Sequence, residues 1–331
     1  IHSFLNSIIM TNYKILEKFL KCPETGSELK YDEINQYFIN KNEKVFQIRN
    51  NVVDFVELDD YSESFGMQWN IFNKTQLDSY TGHKITHNRF WNATSWSPEE
   101  IKDKWILDLG CGQGRFAEIA LEAGANVIAV DYSSSVDAAY ANLLRFSNFF
   151  VIKADINNLP LKPNFFEYVY SIGVIQHTPN VRQTFNSVAE MVKPGGKICV
   201  DVYYKRFRTM MHGKYLLRPF TKKMEREKLL RLITKLMPNA LKISQALGSI
   251  PLLGKALKRL IPIADYTGIY PLNKDELLNW AILDTFDMLS PEYDNPQTSK
   301  TFKKWFVENS FINIEILHIH HLVGRAQKTF E

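Results

Sequence analysis

The stretch Trp105-Ile-Leu-Asp-Leu-Gly-Cys-Gly-Gln-Gly-Arg115 constrains this chain more than any other. Trp105 to Leu109 is an apolar run without helical period, and glycines follow at alternate positions. Phe116, Ile119, Ala120 and Ala123 then recur at i, i+3, i+4 and i+7. The pattern predicts a strand, a glycine turn and a helix in immediate succession. Gly110, Gly112 and Gly114 tolerate positive φ and carry no Cβ to hold a ligand off the backbone. The helix N-terminus turns free amides toward the same place. Gly124 stops that helix and Val127 to Val130 predict a second buried strand. Asp131 stands at the carboxyl end of that strand, where a carboxylate can accept hydrogen bonds from a ribose diol.

Spacing separates two kinds of nucleotide turn. A dinucleotide fingerprint reads G-x-G-x-x-G, with its third glycine later. Asp108-Leu-Gly110-Cys-Gly112-Gln-Gly114 reads D-x-G-x-G-x-G. It resembles motif I of the class I S-adenosylmethionine-dependent methyltransferases, with Asp131 in the place of their ribose-binding acid. The resemblance implies an α/β fold: a Rossmann-like, seven-stranded sheet with helices on both faces. It also implies that S-adenosylmethionine lies across Asp108, Gly110, Cys111, Gly112 and Gly114.

The following text fits that order. Ser133 and Ser134 are N-cap residues for a helix to about Phe146, and Val151 to Asp155 predict a third strand ending in an acid. In the family such an acid binds the adenine amino group beside an apolar neighbour, which assigns Asp155 and Ile156, with Tyr132 on the other side of the ring. Phe165 to Ser171 predict the fourth strand, and the resemblance places Ser171 in the cofactor site. A helix from Asn180 to Val192, a Lys193-Pro-Gly-Gly196 turn and a fifth strand from Lys197 to Tyr203 come next. Phe311 to Leu317 and His320 to Arg325 form the expected closing antiparallel pair. Ser171-Ile-Gly-Val-Ile-Gln-His-Thr-Pro179 and Lys193-Pro-Gly-Gly196 are similar to segments of methyltransferases acting on small molecules. The N/D-P-P-Y/F motif of enzymes that methylate amino groups of DNA bases does not occur, so a nucleic-acid partner is not expected.

Two segments precede the central stretch. Residues 1–58 hold a short helix candidate at 11–21, then Cys22-Pro-Glu-Thr25 and β-rich text to Val56. This resembles a small zinc-ribbon-like module found before many bacterial methyltransferase domains. Thr25 stands where a second cysteine would be, and no further Cys or His follows before residue 83. Zinc needs about four such ligands, so a metal-free β module is expected. Residues 59–104 are rich in aromatics, among them Phe65, Trp69, Phe72, Tyr80, Phe90, Trp91 and Trp96. They read either as a cap over the cofactor or as rings packed on the sheet. Gln68, Trp69 and Arg89 are the candidates for cofactor contact, and Arg89 can pair with a methionyl carboxylate.

The methyltransferase domain proper is expected over 105–331, interrupted after strand five by a basic helical insertion at 205–262. Between Lys205 and Leu260 there are 15 Lys and Arg against two acids, a local +13 in a chain of net charge +4, leaving −9 elsewhere. Leucines and isoleucines are interleaved with these cations, which predicts helices with an apolar stripe and a cationic face. Two readings stay open: a lid over the substrate cleft with solvated cations, or contact with an anionic membrane surface or anionic acceptor. Asn273 and Glu276 can cap a following helix, and Asp284 to Gln297 read as a polar, aromatic loop near the acceptor.

Three dispersed cysteines fit a reducing, cytoplasmic setting, and no run of 18 apolar residues occurs. Ile1 to Met10 carry neither a basic region nor a small-residue cleavage site, and Met10 is an alternative start. Methyl transfer needs nucleophile and methyl group held in line, and a base only where the acceptor loses a proton. His177, just after strand four, reads as that base or as a structural histidine. Tyr203, Tyr204, Asp284, Asp287 and Tyr293, with Asp201, are candidates for holding acceptor hydroxyls. The expected acceptor is a small molecule such as a sugar or lipid-linked intermediate, methylated on oxygen. N- or C-methylation of a small metabolite or quinone, and a non-catalytic cofactor-binding module, stay open beside it.

Overall fold

Strands begin where β-branched and aromatic residues alternate with polar ones: β1 (Leu29–Asp32), β2 (Tyr37–Asn40), β3 (Val45–Arg49) and β4 (Val52–Asp54). The computed structural model describes residues 13–56, 63–206 and 212–330, with the side chains of 63–65 and 255 excluded. The segment 1–12 and the Phe65 ring therefore lie outside the described residues. The meander of the expected small N-terminal β module joins the main sheet, because β4 pairs in parallel with β7 (Phe149–Lys153) through Val53 and Ile152.

The apolar runs around the glycine bend give β5 (Trp105–Leu109) and β6 (Asn126–Asp131), followed by β8 (Phe166–Ser171), β9 (Val192–Val202), β10 (Phe311–Ile319) and β11 (His321–Lys328). The sheet order is β1-β2-β3-β4-β7-β6-β5-β8-β9-β11-β10. From β7 to β10 this is the expected seven-stranded arrangement, parallel except for β11, which runs antiparallel to both neighbours. Continuous burial of β5 and β6 follows from helices on both faces. One apolar layer holds Leu107, Leu109, Val130, Phe185 and Phe306, and the other holds Phe90, Phe116, Ile119 and Tyr170.

Two boundaries differ from expectation. The Lys193-Pro-Gly-Gly196 segment lies inside β9, at an irregularity opposite Phe166 and Tyr168. A Cβ at Gly196 would come within 3.0 Å of the Phe166 and Glu167 carbonyls. Asp284 to Leu289 are helical: they end the helix Lys274–Leu289, which starts at a capping box of Asn273 and Glu276. Its polar residues Asp284 and Asp287 face a cavity inside the protein, so their text reads as loop.

The helices are α1 (Glu63–Ile71), α2 (Asp78–Thr81), α3 (Ile85–Thr94), α4 (Pro98–Ile101), α5 (Arg115–Glu122), α6 (Ser135–Leu143), α7 (Val181–Glu190), α8 (Lys214–Thr221), α9 (Arg226–Gly248), α10 (Gly254–Lys258), α11 (Lys274–Leu289) and α12 (Ser299–Glu308). The insertion thus forms α8 to α10. Leu229, Leu230, Ile233, Met237 and Leu241 of α9 pack on Ala281, Ile282, Phe286 and Leu289 of α11.

Cations of the insertion close the carboxyl end of α11, where helix carbonyls have no partner within the helix. Arg218 donates to the Met288 and Pro291 carbonyls at 2.9 Å, Thr221 Oγ1 to Leu289 and Arg226 to Ser290. Lys214 Nζ lies 2.6 Å from Asp294, both buried. Replacing Arg218 with Met keeps the stem but removes these donors. It should destabilise the fold by on the order of 2–4 kcal/mol. Urea unfolding measures this, and a loss below about 0.5 kcal/mol would show that the carbonyls find other donors.

Candidate active site

Gly110, Gly112 and Gly114 all adopt positive φ, at 84°, 53° and 86°. A side chain there would cost conformational energy and collide: a Cβ on Gly110 would meet Val174 at 2.4 Å, and one on Gly112 the Trp69 indole at 3.1 Å. The bend is pinned to β6 by the Gly110 and Cys111 N–H groups, both donating to the Val130 carbonyl. Asp131 completes the clamp. Its Oδ2 accepts the Gly112 N–H at 2.9 Å, and Oδ1 accepts the Ser133 N–H and hydroxyl.

Beside the bend lies an inner cavity. Gly110 to Gln113 floor it, Asp131 and Tyr132 stand at one side with Ala154 and Ile156, and Ile172 to Val174, His177 and Thr178 stand at the other. A larger outer cavity of about 460 Å³ opens to solvent and is walled by Tyr203, Tyr204, Tyr266, Asp284, Arg89, Arg206 and Lys214, with three histidines of β10 and β11 and the turn between them. Trp69, Arg115, Gly173 and Asp287 line both cavities. The two spaces therefore meet at these four residues.

The junction contains the residue that sequence reading missed. Arg115 is the first residue of α5, and its guanidinium stacks on Trp69 and Phe116 at 5.5 and 4.7 Å. Among the described residues no acceptor lies within hydrogen-bonding distance of it. Burial, followed by the nearby Arg89 charge, pulls its pKa down to about 10, against the pull of Asp284 and Asp287. The signal in the sequence is its position, since a cation opening a helix opposes the dipole and needs an anion to justify it.

The segment 107–200 matches the family described as a methyltransferase domain. This segment, from β5 to within β9, resembles a methyltransferase domain. Phosphoethanolamine N-methyltransferase 2 of Caenorhabditis elegans is 32% identical over 106 residues, which are 31% of this chain and 24% of that protein. A ubiquinone biosynthesis O-methyltransferase of Coxiella burnetii is 28% identical over 115 residues, 34% of this chain and 49% of that protein. The chain therefore spans about a quarter to half of the length of these curated relatives. The structure of magnesium protoporphyrin IX methyltransferase from Synechocystis, with bound SAH, superposes with a TM-score of 0.46 at 12% identity, covering 82% of this chain and 98% of that one.

The structure places several of the expected residues otherwise than the sequence reading has them. Ser171 lines neither cavity: its hydroxyl donates to the Leu109 carbonyl and ties β8 to β5. Asp108 is buried in β5 behind the bend, also outside both cavities. Asp155 lies two residues beyond β7 and closes its own turn by accepting the Asn157 N–H at 2.8 Å, while its neighbour Ile156 lines the inner cavity. Arg89 is paired with buried Asp201 at 3.1 Å, and Asp201 also accepts the Gly173 N–H. Gln68 is fully buried against the outer cavity, with both amide atoms lacking a hydrogen bond. Tyr293 contributes its carbonyl, which accepts from His177 Nδ1 at 3.0 Å, and its ring is not part of either wall.

That last bond fixes the imidazole. A carbonyl only accepts, so Nδ1 carries the proton and Nε2 is the basic nitrogen. The His177 ring also stands edge-on to Tyr203 at 5.3 Å, which places it beside the outer cavity. In the outer wall, Asp284 accepts from Gln76 and from the Tyr266 hydroxyl, and burial lifts its pKa to about 6. Tyr203 donates to Asp287 at 3.4 Å.

Burial also pushes Asp108 up to about 8, against a smaller opposing effect of the Tyr170 hydroxyl. The folded state therefore holds a proton that the unfolded chain, titrating near 4, releases. Stability from this group is present below pH 4 and falls as pH rises to 8. Asp108→Asn is neutral throughout and should flatten that decline. Melting temperatures of both proteins from pH 5 to 8 test this, and parallel curves would refute the assignment.

Proposed function

We propose that this chain is an S-adenosylmethionine-dependent methyltransferase that binds its donor in the inner cavity. Its small-molecule acceptor binds in the outer one and is methylated on oxygen. The observation that carries the reading is the meeting of the two cavities at Trp69, Arg115, Gly173 and Asp287. A transfer between two bound molecules requires such a common boundary.

The residues present fit the donor. The glycine bend removes the side chains that would block a nucleoside, and Asp131 supplies carboxylate oxygens at its edge. Tyr132, Ala154 and Ile156 would flank the adenine. Arg115 would take the methionyl carboxylate in place of Arg89, whose charge is already matched by Asp201. When bound, S-adenosylmethionine supplies an electrophilic methyl group on a sulfonium, which is a good leaving group.

The chain must then orient the acceptor and, for a hydroxyl, receive a proton. Tyr203, Tyr204, Tyr266, Asp284 and Asp287 present hydroxyls and carboxylates to the outer cavity, which suits an acceptor rich in hydroxyls such as a sugar or its lipid-linked form. His177 Nε2 would receive the proton, with the ring held in orientation by the Tyr293 carbonyl.

Calorimetry can separate the assigned roles. Asp131→Ala should weaken S-adenosylhomocysteine and methylthioadenosine alike, by about tenfold or more. Arg115→Met should weaken S-adenosylhomocysteine to a similar extent but leave methylthioadenosine, which lacks the carboxylate, unchanged. Equal loss of both ligands in Arg115→Met would remove it from carboxylate binding. With labelled donor and a panel of sugar and lipid-linked acceptors, His177→Ala should lower turnover by about 100-fold or more at unchanged S-adenosylhomocysteine affinity. Undiminished turnover would make the histidine structural.

A further inference from the structure

The short helix Lys214–Thr221 is inverted. Lys214, Arg218 and Thr221, at i, i+4 and i+7, form its buried face, with Lys214 6% and Arg218 7% exposed. Leu216 and Phe220 point outward at 76% and 71% exposure, with Leu217 beside them. A helix that faces water places these residue types the other way round. The inner cations are accounted for, since they bind the carboxyl end of α11 and Asp294. The outer leucines and phenylalanine have no such account within the protein.

The neighbouring elements continue the pattern. Leu232, Leu236 and Ile243 lie on one exposed row of the helix Arg226–Gly248, at i, i+4 and i+11. Lys228, Lys235 and Lys242, at heptad spacing, form the adjoining row on the side away from the buried stripe. None of these three lysines is in an ion pair among the described residues. Ile250, Leu252, Leu253 and Leu260 are exposed as well. The elements touch one another: the Gly213 N–H donates to the Arg259 carbonyl, and Gly254 packs on the Gly248 carbonyl. Ten of the 19 exposed large apolar residues among those described fall between 216 and 260, and such concentration marks an interaction surface.

We infer that the outer face of residues 214–260 docks on a membrane surface carrying anionic lipid. Apolar side chains flanked by unpaired lysines are what an interfacial helix presents: the apolar row enters the acyl boundary and the cations meet the headgroups. A protein partner with an apolar groove would not call for the lysine row. No helix among the described residues is long and apolar enough to cross a membrane, so the contact is peripheral. Lys214 and His212, at the start of the inverted helix, also line the outer cavity. Docking would therefore hold against the bilayer a helix whose inner side borders that cavity.

Flotation of the full chain with phosphatidylcholine vesicles, with and without 30% phosphatidylglycerol, tests the proposal. Binding should require the anionic lipid and weaken with salt. Two variants should each reduce it by roughly tenfold or more: one carrying Leu216→Ser and Phe220→Ser, the other Lys228→Gln, Lys235→Gln and Lys242→Gln. Both keep the buried face and should retain S-adenosylhomocysteine binding, which shows that they fold. Equal flotation of wild type and variants, or none by wild type, would overturn the proposal. So would a wild-type dimer in size-exclusion chromatography that the Leu216 and Phe220 changes convert to monomer without any vesicle binding, which would assign the face to a second copy of the chain.

Discussion

The carboxylate of Asp131 holds the arrangement on which the site depends. Three glycines with positive φ form a bend that is costly to order, because glycine loses more conformational freedom than any other residue. The bend keeps its shape because Asp131 and the Val130 carbonyl accept its amides. The Trp69 indole and Val174 occupy the positions where Cβ atoms would sit. The open space beside the bend is thus floored by groups that are themselves held in place. Preorganisation of this kind means that a nucleoside would meet a formed surface rather than one it must assemble.

From that bend the structure builds outward to a second space. Trp69 comes from the segment before the sheet, Arg115 from the helix after the bend, Gly173 from the end of β8 and Asp287 from α11. Four distant parts of the chain converge on one boundary. The charges are disposed unevenly around it. Arg89 is balanced by Asp201 and Lys214 by Asp294, whereas Arg115 stacks on Trp69 and Phe116 and feels Asp284 and Asp287 only at longer range. A buried guanidinium without a close ion pair is expensive, and a ligand carrying the complementary charge would offset that cost.

The parts of the molecule legible in the sequence were those where backbone geometry dictates residue type. The β5 bend, the strand ending in Asp131, the succession of strands along the chain, the Asn273 cap and the amphipathic insertion all follow from glycine, hydrophobic period and capping chemistry. What escaped was tertiary. Asp284 and Asp287 read as loop because their polar faces look into a cavity, and amphipathic reasoning equates polar with solvent. Ser171 and Asp108 matched a nucleotide pattern yet sit within the sheet, where the same small or acidic side chains serve packing. Arg89 and Arg115 could be ranked only once Asp201 was seen beside the first. The junction of α11 with the insertion was likewise invisible, since nothing local says which carbonyls Arg218 will reach.

The insertion shows why a high local charge cannot be assigned one purpose. Its cations divide by depth. Lys214, Arg218 and Arg226 are drawn inward, where helix-end carbonyls and Asp294 compensate their desolvation. Lys228, Lys235 and Lys242 stay at the surface. The inward set leaves the short helix no polar face to offer to water, so its leucines and phenylalanine are forced outward. The anchoring of these cations at the end of α11 is what turns an apolar face of α8 away from the protein. A lid tied down by buried leucines would have produced the opposite surface. The choice of buried cations over buried leucines in α8 is thus the feature from which the exposed apolar face follows.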